Sequence, residues 1–160
     1  MTRWVPALLM LLAAAPAPGG REALGVHGRW AAFRDAAPRR CYAIAAAMAP
    51  GGGPRRGGFA SVATWPGQAR AQLYVRLSQP RSPRARVTLS IGQRRFELTA
   101  NERDAWAPDP RADIAIVAAM RGGRAMSIES LSQGGAPFAD VYALPGAATA
   151  IDAATLGCVG

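Results

Sequence analysis

The sequence contains no lysine, so all 19 of its strongly basic side chains are arginines. This absence excludes a Ser–Lys catalytic pair and a phosphate-binding P-loop, because both need a lysine ammonium group. His27 is the only histidine, and no residue near it in sequence could position it as a general base. One histidine and two distant cysteines also fall short of the ligand set of a zinc site. We therefore expect no metal and no cofactor, and we find no catalytic constellation that indicates an enzyme.

The sequence also lacks a hydrophobic run long enough for a transmembrane span, which takes roughly 20 apolar residues. Near the N-terminus, Arg3 precedes a shorter apolar run from Trp4 to Ala15, which gives way to small residues and prolines. This order is typical of a secretory signal peptide. We expect residues 1–19 to be this signal peptide and residues 20–160 to form one β-rich domain, periplasmic or secreted.

Only two cysteines are present, Cys41 and Cys158. Either could be read as a nucleophile, but an even number of cysteines in an exported chain is far more often a structural bridge. We predict that they form a disulfide, which ties an early strand to the end of the last helix.

Acidic residues are few, 10 against 19 arginines, and the formal net charge is +9. Abundant alanine, glycine and proline accompany this charge, so we favour a compositional origin for it. The alternative is an anionic partner, an envelope surface rather than a nucleic acid, or else a partner protein. The candidate anion-binding residues lie in two loops: Arg55, Arg56, Arg81 and Arg84. Their planar guanidinium groups suit carboxylates and phosphates.

Alternation of apolar with polar or small residues predicts a mainly β fold. The clearest element is a hairpin, whose strand at 87–91 places three apolar side chains on one face before Gly92 turns the chain. The predicted strands include residues 28–35, 41–47, 59–65, 72–77, 87–91, 125–131 and 137–144, and the helices are 110–121 and 147–156. A twisted sandwich or a curled sheet would accommodate these elements, and we predict an antiparallel β-sandwich-like single domain with two short helices.

The first predicted helix, 110–121, follows Asp109, whose side chain can cap the free N–H groups of a first turn. Helical spacing would place Ile114, Val117 and Ala118 together against the sheet.

Four carboxylates cluster in sequence: Glu102, Asp104, Asp109 and Asp113. Two of them could form the paired acids of a glycosidase if they lay about 5–10 Å apart in a cleft. More commonly such residues are solvated charges of loops and helix starts. The first interpretation predicts a small hydrolase that acts on envelope glycan.

Three tryptophans, Trp30, Trp65 and Trp106, could line a ligand groove. In a domain of this size they more often pack in the core or at its edge, and we favour packing.

The second half of the chain carries a series of motifs in a fixed order. These are VTLSIGQRRFEL at 87–98, Asp104-Ala105-Trp106, a helix and strand ADIAIVAAMRGGRAMSIES, and FADVYALPGAATAI at 138–151. In order and spacing they resemble the invasion-associated locus B family of alphaproteobacterial exported proteins. The resemblance implies a β-sandwich-like exported protein, linked in some pathogens to host-cell invasion, with no established catalytic residues. We therefore expect a non-enzymatic accessory protein that binds an envelope component or another protein.

Overall fold

The computed structural model describes residues 20–68 and 71–159, which form ten β-strands and two α-helices. The predicted signal peptide lies outside the described residues. The strands are β1 (Arg21–His27), β2 (Trp30–Ala36), β3 (Arg39–Met48), β4 (Pro54–Thr64), β5 (Gln72–Arg76), β6 (Val87–Ile91), β7 (Arg94–Ala100), β8 (Asp104–Trp106), β9 (Ala125–Leu131) and β10 (Pro137–Ala143). The helices are α1 (Pro110–Gly122) and α2 (Ala147–Gly157).

Eight of the strands close into an antiparallel β-barrel, in the order β3-β10-β9-β6-β7-β8-β5-β4 and back to β3. Closure depends on β3, which pairs with β4 along one edge and with both β2 and β10 along the other. The β1–β2 hairpin extends the sheet outside this ring. The predicted sandwich is therefore wrong, although the mainly β class and the two helices are right. The alternation of apolar and polar residues shows that each strand has one buried face. The strands of a barrel and of a sandwich both have this pattern, so the pattern does not distinguish the two folds.

The inner face of the barrel is the hydrophobic core. Residues that pair directly across strands share a face, and the buried ones follow one another around the ring. Ala43 lies opposite Val62, which in turn lies opposite Leu73. Farther around, Leu89 lies opposite Ile128, and both side chains are fully buried. Removal of this apolar surface from water is the main source of stability.

Helix α1 starts as predicted but presents a different face to the sheet. Asp109 caps it, accepting hydrogen bonds from the first N–H groups of the helix at 2.8 and 2.9 Å. Ile114, predicted to pack, is 62% exposed, whereas Ile116 and Met120 are buried. The predicted apolar face is therefore right for Val117, which packs against the core, and wrong for Ile114 and Ala118, which are exposed.

Helix α1 is thus rotated about its axis relative to the prediction. We attribute this rotation to Asp113, which we expected to be solvated. Its carboxylate is buried and accepts a hydrogen bond from the backbone N–H of Leu73 at 2.8 Å. The bond satisfies a strand donor of β5 and turns Asp113 towards the sheet, and this orientation moves Ile114 to the solvent side.

The segment before β2, for which the sequence predicted no element, is also a strand. β1 pairs with β2 from Arg21 to His27, with an irregularity between Ala23 and Gly25. Leu24 packs against the core and lies beside Gly157 of α2. The irregularity interrupts the strict alternation that would have revealed this strand.

The predicted disulfide between Cys41 and Cys158 is present, with the two Cα atoms 5.7 Å apart. It connects β3 to the residue that follows α2, across a sequence separation of 117. In the chain-entropy model, closure of so long a loop stabilises the fold by about 4–5 kcal/mol.

Within residues 20–68 and 71–159, neither helix is long and apolar enough to cross a membrane. The same part of the chain contains no group of three or more His, Cys, Asp or Glu placed to hold a metal ion.

Candidate functional site

A cleft of about 880 Å³ lies over the outer face of strands β2, β3, β4, β5 and β8. Its volume is in the range of small-molecule binding sites, roughly 300–1,000 Å³. We call it the aromatic cleft, after the six aromatic side chains that line it: Phe33, Tyr42, Phe59, Trp65, Tyr74 and Trp106.

The strand register builds two aromatic walls. On one side, Phe33 of β2 lies opposite Tyr42 of β3, and their ring centroids are 5.8 Å apart. On the other side, Tyr74 of β5 lies opposite Trp106 of β8. Phe59 of β4 adds its ring to this second wall, 5.8 Å from that of Tyr74.

Strand β4 supplies the floor between the walls. Ala63 lies opposite Tyr42, and Ser61 lies opposite Tyr74. Because Ala63 and Ser61 are much smaller than their aromatic neighbours, space stays open above them. The cleft is therefore a consequence of side-chain size along two rows of paired residues, one through Ala63 and the other through Ser61.

The β1–β3 side of the cleft is basic. Arg21 Nε donates to Asp35 Oδ1 at 2.9 Å, and Arg40 Nε donates to Asp35 Oδ2 at 3.0 Å. Both guanidinium groups also lie over the Tyr42 ring, 5.6 and 5.0 Å from its centroid, within cation–π range. Burial alone would raise the pKa of Asp35, but the two hydrogen bonds outweigh burial and the pKa lies below its ordinary value. Asp35 thus holds both arginines at the cleft edge.

The two guanidinium groups retain donors for a ligand. Among the described residues, each uses only its Nε atom in a hydrogen bond. The side chains of Arg21 and Arg40 are 58% and 42% exposed. Their Nη groups can therefore present a planar fork to a carboxylate or phosphate.

The opposite side, beyond β8, carries Asp109. This residue uses only Oδ1 to cap α1. Oδ2 accepts no hydrogen bond from the described residues, so it can accept one from a ligand hydroxyl or amide.

Next to this side, Asp104 fixes the position of Tyr74. The Tyr74 hydroxyl and Arg76 Nη1 donate to Asp104 Oδ1 at 2.6 and 2.7 Å. Burial would raise the pKa of Asp104, but hydrogen bonds from Tyr74, Arg76 and Asn101 bring it below its ordinary value. Asp104 is therefore a hydrogen-bond acceptor that orients Tyr74 in the second aromatic wall.

The structure brings two of the four predicted acidic residues, Asp109 and Asp113, to the aromatic cleft. Both already accept backbone N–H groups. Asp104 bonds to Tyr74, and Glu102 accepts from Gln133 Nε2 at 3.0 Å outside the cleft lining. The paired-acid hydrolase stays a prediction.

Two of the four predicted anion-binding arginines make contacts within the protein. Arg55 Nη1 donates to the Ala139 carbonyl at 3.0 Å, and its Nε atom lies 3.7 Å from Oδ1 of the fully buried Asp140. Arg81 donates to five backbone carbonyls, those of Ser82, Pro83, Ala85, Ala100 and Asn101. Arg56 and Arg84 are exposed. The anion-binding prediction therefore depends mainly on these last two.

The tryptophans divide between the two faces. Trp30 is fully buried and its Nε1 donates to the Ala143 carbonyl at 2.8 Å, so packing is confirmed for it. Trp65 and Trp106 line the cleft instead. Sequence reasoning missed Arg21 and the cleft role of Arg40. The signal available was the unusual aromatic content of outward positions in β2, β3 and β5.

No family model and no curated protein matches the chain. Among solved structures, the chain is similar to the crystal structure of invasion associated protein B from Bartonella henselae. The TM-score is 0.64 at 15% sequence identity, and the match covers 82% of this chain and 95% of that chain. The two proteins share a fold.

Proposed function

We propose that this chain is an exported accessory protein of the cell envelope, similar to the invasion-associated locus B proteins, that binds an envelope component in the aromatic cleft without transforming it. The observation that carries the proposal is the cleft itself, because an outward face with aromatic walls and an open floor is typical of a binding site. The signal-like leader supports export, and the fold shared with the Bartonella protein supports the family relation.

The test is a calorimetric titration of residues 20–160 with soluble lipopolysaccharide and, separately, with soluble peptidoglycan fragments. We expect saturable binding to at least one of them. Trp106→Ala should weaken it by about tenfold or more, since central aromatic contacts carry much of the binding energy. Leu156→Ala is the matched control, because Leu156 is 72% exposed and does not line the cleft.

A second variant blocks the cleft rather than removing a wall. Ser61→Phe places a large ring on the floor, where the side chain of Ser61 leaves space. We expect loss of binding with cooperative unfolding retained. Native-like affinity in both cleft variants, or no binding by the unaltered protein, would contradict the proposal.

The alternative is a small hydrolase acting on envelope glycan, and the observation in its favour is that Asp109 and Asp113 line the cleft. It predicts release of new reducing ends from peptidoglycan and loss of that release in Asp109→Asn. The accessory function predicts no release by the unaltered protein.

A further inference from the structure

We infer that the ligand of the aromatic cleft is an acidic oligosaccharide, in which a sugar ring carries a carboxylate or phosphate that Arg21 and Arg40 bind. The inference rests on the proposed function and adds the chemical class of the envelope component.

The acid group is indicated by the basic side of the cleft. Arg21 and Arg40 carry two positive charges against the single carboxylate of Asp35, so a net positive charge remains at this edge. Asp35 and the Tyr42 ring fix both guanidinium groups before a ligand arrives. Less side-chain entropy is therefore lost when an anion binds.

The rest of the ligand must suit the other polar groups of the cleft lining. Asp109 lies beyond β8, on the other side of the cleft from the arginines, and its Oδ2 can accept a hydrogen bond from a ligand hydroxyl. The Ser61 hydroxyl and the Gln72 amide add polar atoms to the lining. A purely apolar chain would leave these groups unpaired.

A sugar ring meets both requirements. Its C–H face is flat and apolar and can lie on the aromatic walls, while its hydroxyl rim can donate to Asp109 and Ser61. A cleft of about 880 Å³ is far larger than a free phosphate needs, and it has room for an oligosaccharide of a few units. The acid group then gives the ligand one orientation across the strands.

The experiment uses trigalacturonate, its fully methyl-esterified form, and maltotriose as probes for residues 20–160. We expect trigalacturonate to bind at least about tenfold more tightly than the ester, because esterification removes the charge that the guanidinium forks bind. The difference should shrink as salt rises. Inorganic phosphate and adenosine monophosphate should compete only weakly.

Variants test whether these two arginines cause the preference for the acid over its methyl ester. Arg21→Gln with Arg40→Gln should equalise acid and ester, whereas Arg21→Lys with Arg40→Lys keeps the charge and should retain part of the preference. Arg94→Gln is the matched control, because Arg94 also stacks on a ring, that of Phe96 at 5.1 Å, outside the cleft lining. Thermal unfolding checks that each variant is folded.

The outcomes separate the two proposals. Equal affinity for acid and ester, or no affinity for trigalacturonate while another envelope component binds in a Trp106-dependent way, overturns the acidic sugar and leaves the cleft function standing. Tighter binding of phosphate or the nucleotide also overturns it. Absence of any ligand whose binding depends on Trp106 overturns both.

Discussion

The two faces of strands β2 to β5 have opposite compositions. Inward positions hold small and aliphatic side chains such as Ala43, Val62 and Leu73, almost completely buried. Outward positions hold aromatic and charged groups around an open floor. Because neighbouring residues along a strand point to opposite faces, one set of strands can hold the barrel together and display a binding surface. Substitutions on one face that leave the barrel and its disulfide intact should therefore have little effect on the property of the other face.

The largest expected effect on the inner side is loss of the disulfide. Cys41→Ser with Cys158→Ser should lower the free energy of unfolding by about 4–5 kcal/mol, because the unfolded chain is no longer constrained. Urea unfolding of oxidised and variant protein measures the difference. Two free thiols in the native protein, purified without reductant, would show that the bridge does not form.

A pair of isoleucines compares the core with the surface directly. Ile128 is fully buried in the barrel and Ile114 is 62% exposed on α1. Ile128→Ala should cost about 2–5 kcal/mol of unfolding free energy, and Ile114→Ala less than about 0.5 kcal/mol. Equal costs in urea unfolding would show that the inner face is not the core.

The arginines predicted to bind anions offer a comparison of a structural with a solvated side chain. Arg81→Gln should destabilise the protein by about 1–3 kcal/mol, since it removes donors from five carbonyls. Arg84→Gln should be neutral in unfolding within about 0.5 kcal/mol.

The same arginines can be tested for adsorption to an anionic surface. Co-sedimentation with anionic vesicles at low salt should decrease in Arg56→Gln with Arg84→Gln. Adsorption that is unchanged in this pair, or that persists in high salt, would show that Arg56 of β4 and Arg84 do not bind anions.

The smallest effect concerns the acid stability supplied by Asp35. Its folded pKa lies below the ordinary value of 3.8, so its stabilising contribution is complete above that pH and is lost as pH falls through the folded pKa. Asp35→Asn should therefore lower the free energy of unfolding near neutral pH by less than about 1 kcal/mol, with the difference vanishing in acid. A pH series of urea unfolding measures it, and a difference that grows in acid would contradict the sign.

The sequence was sufficient to predict elements governed by local rules. The hairpin at β6 and β7, the Asp109 cap and the bounds of α1 and α2 all follow from alternation, capping and glycine placement, which act over a few residues. The disulfide was predictable because only one pairing exists for two cysteines. Strand β8 was not predicted because its three residues are too few to show the alternation that is typical of a strand.

Features that depend on distant partners were not predictable in this way. Barrel closure requires β10 to meet β3 at Met48, which no local pattern records. The rotation of α1 follows from a bond between Asp113 and a strand 40 residues away in sequence. The cleft combines Phe33 with Trp106, and their proximity follows from the register of five strands.

One consequence of the disulfide concerns the redox conditions under which the cleft is well ordered. Cys41 points inward between Arg40 and Tyr42, two residues that face the cleft on the same strand. The covalent bond to Cys158 therefore anchors the back of the surface that would hold a ligand. In a reducing compartment this support would be absent, and the arginine and tyrosine would lie on a more weakly held strand. We therefore expect the cleft to bind its proposed ligand more weakly when the two cysteines are reduced than when they are bridged.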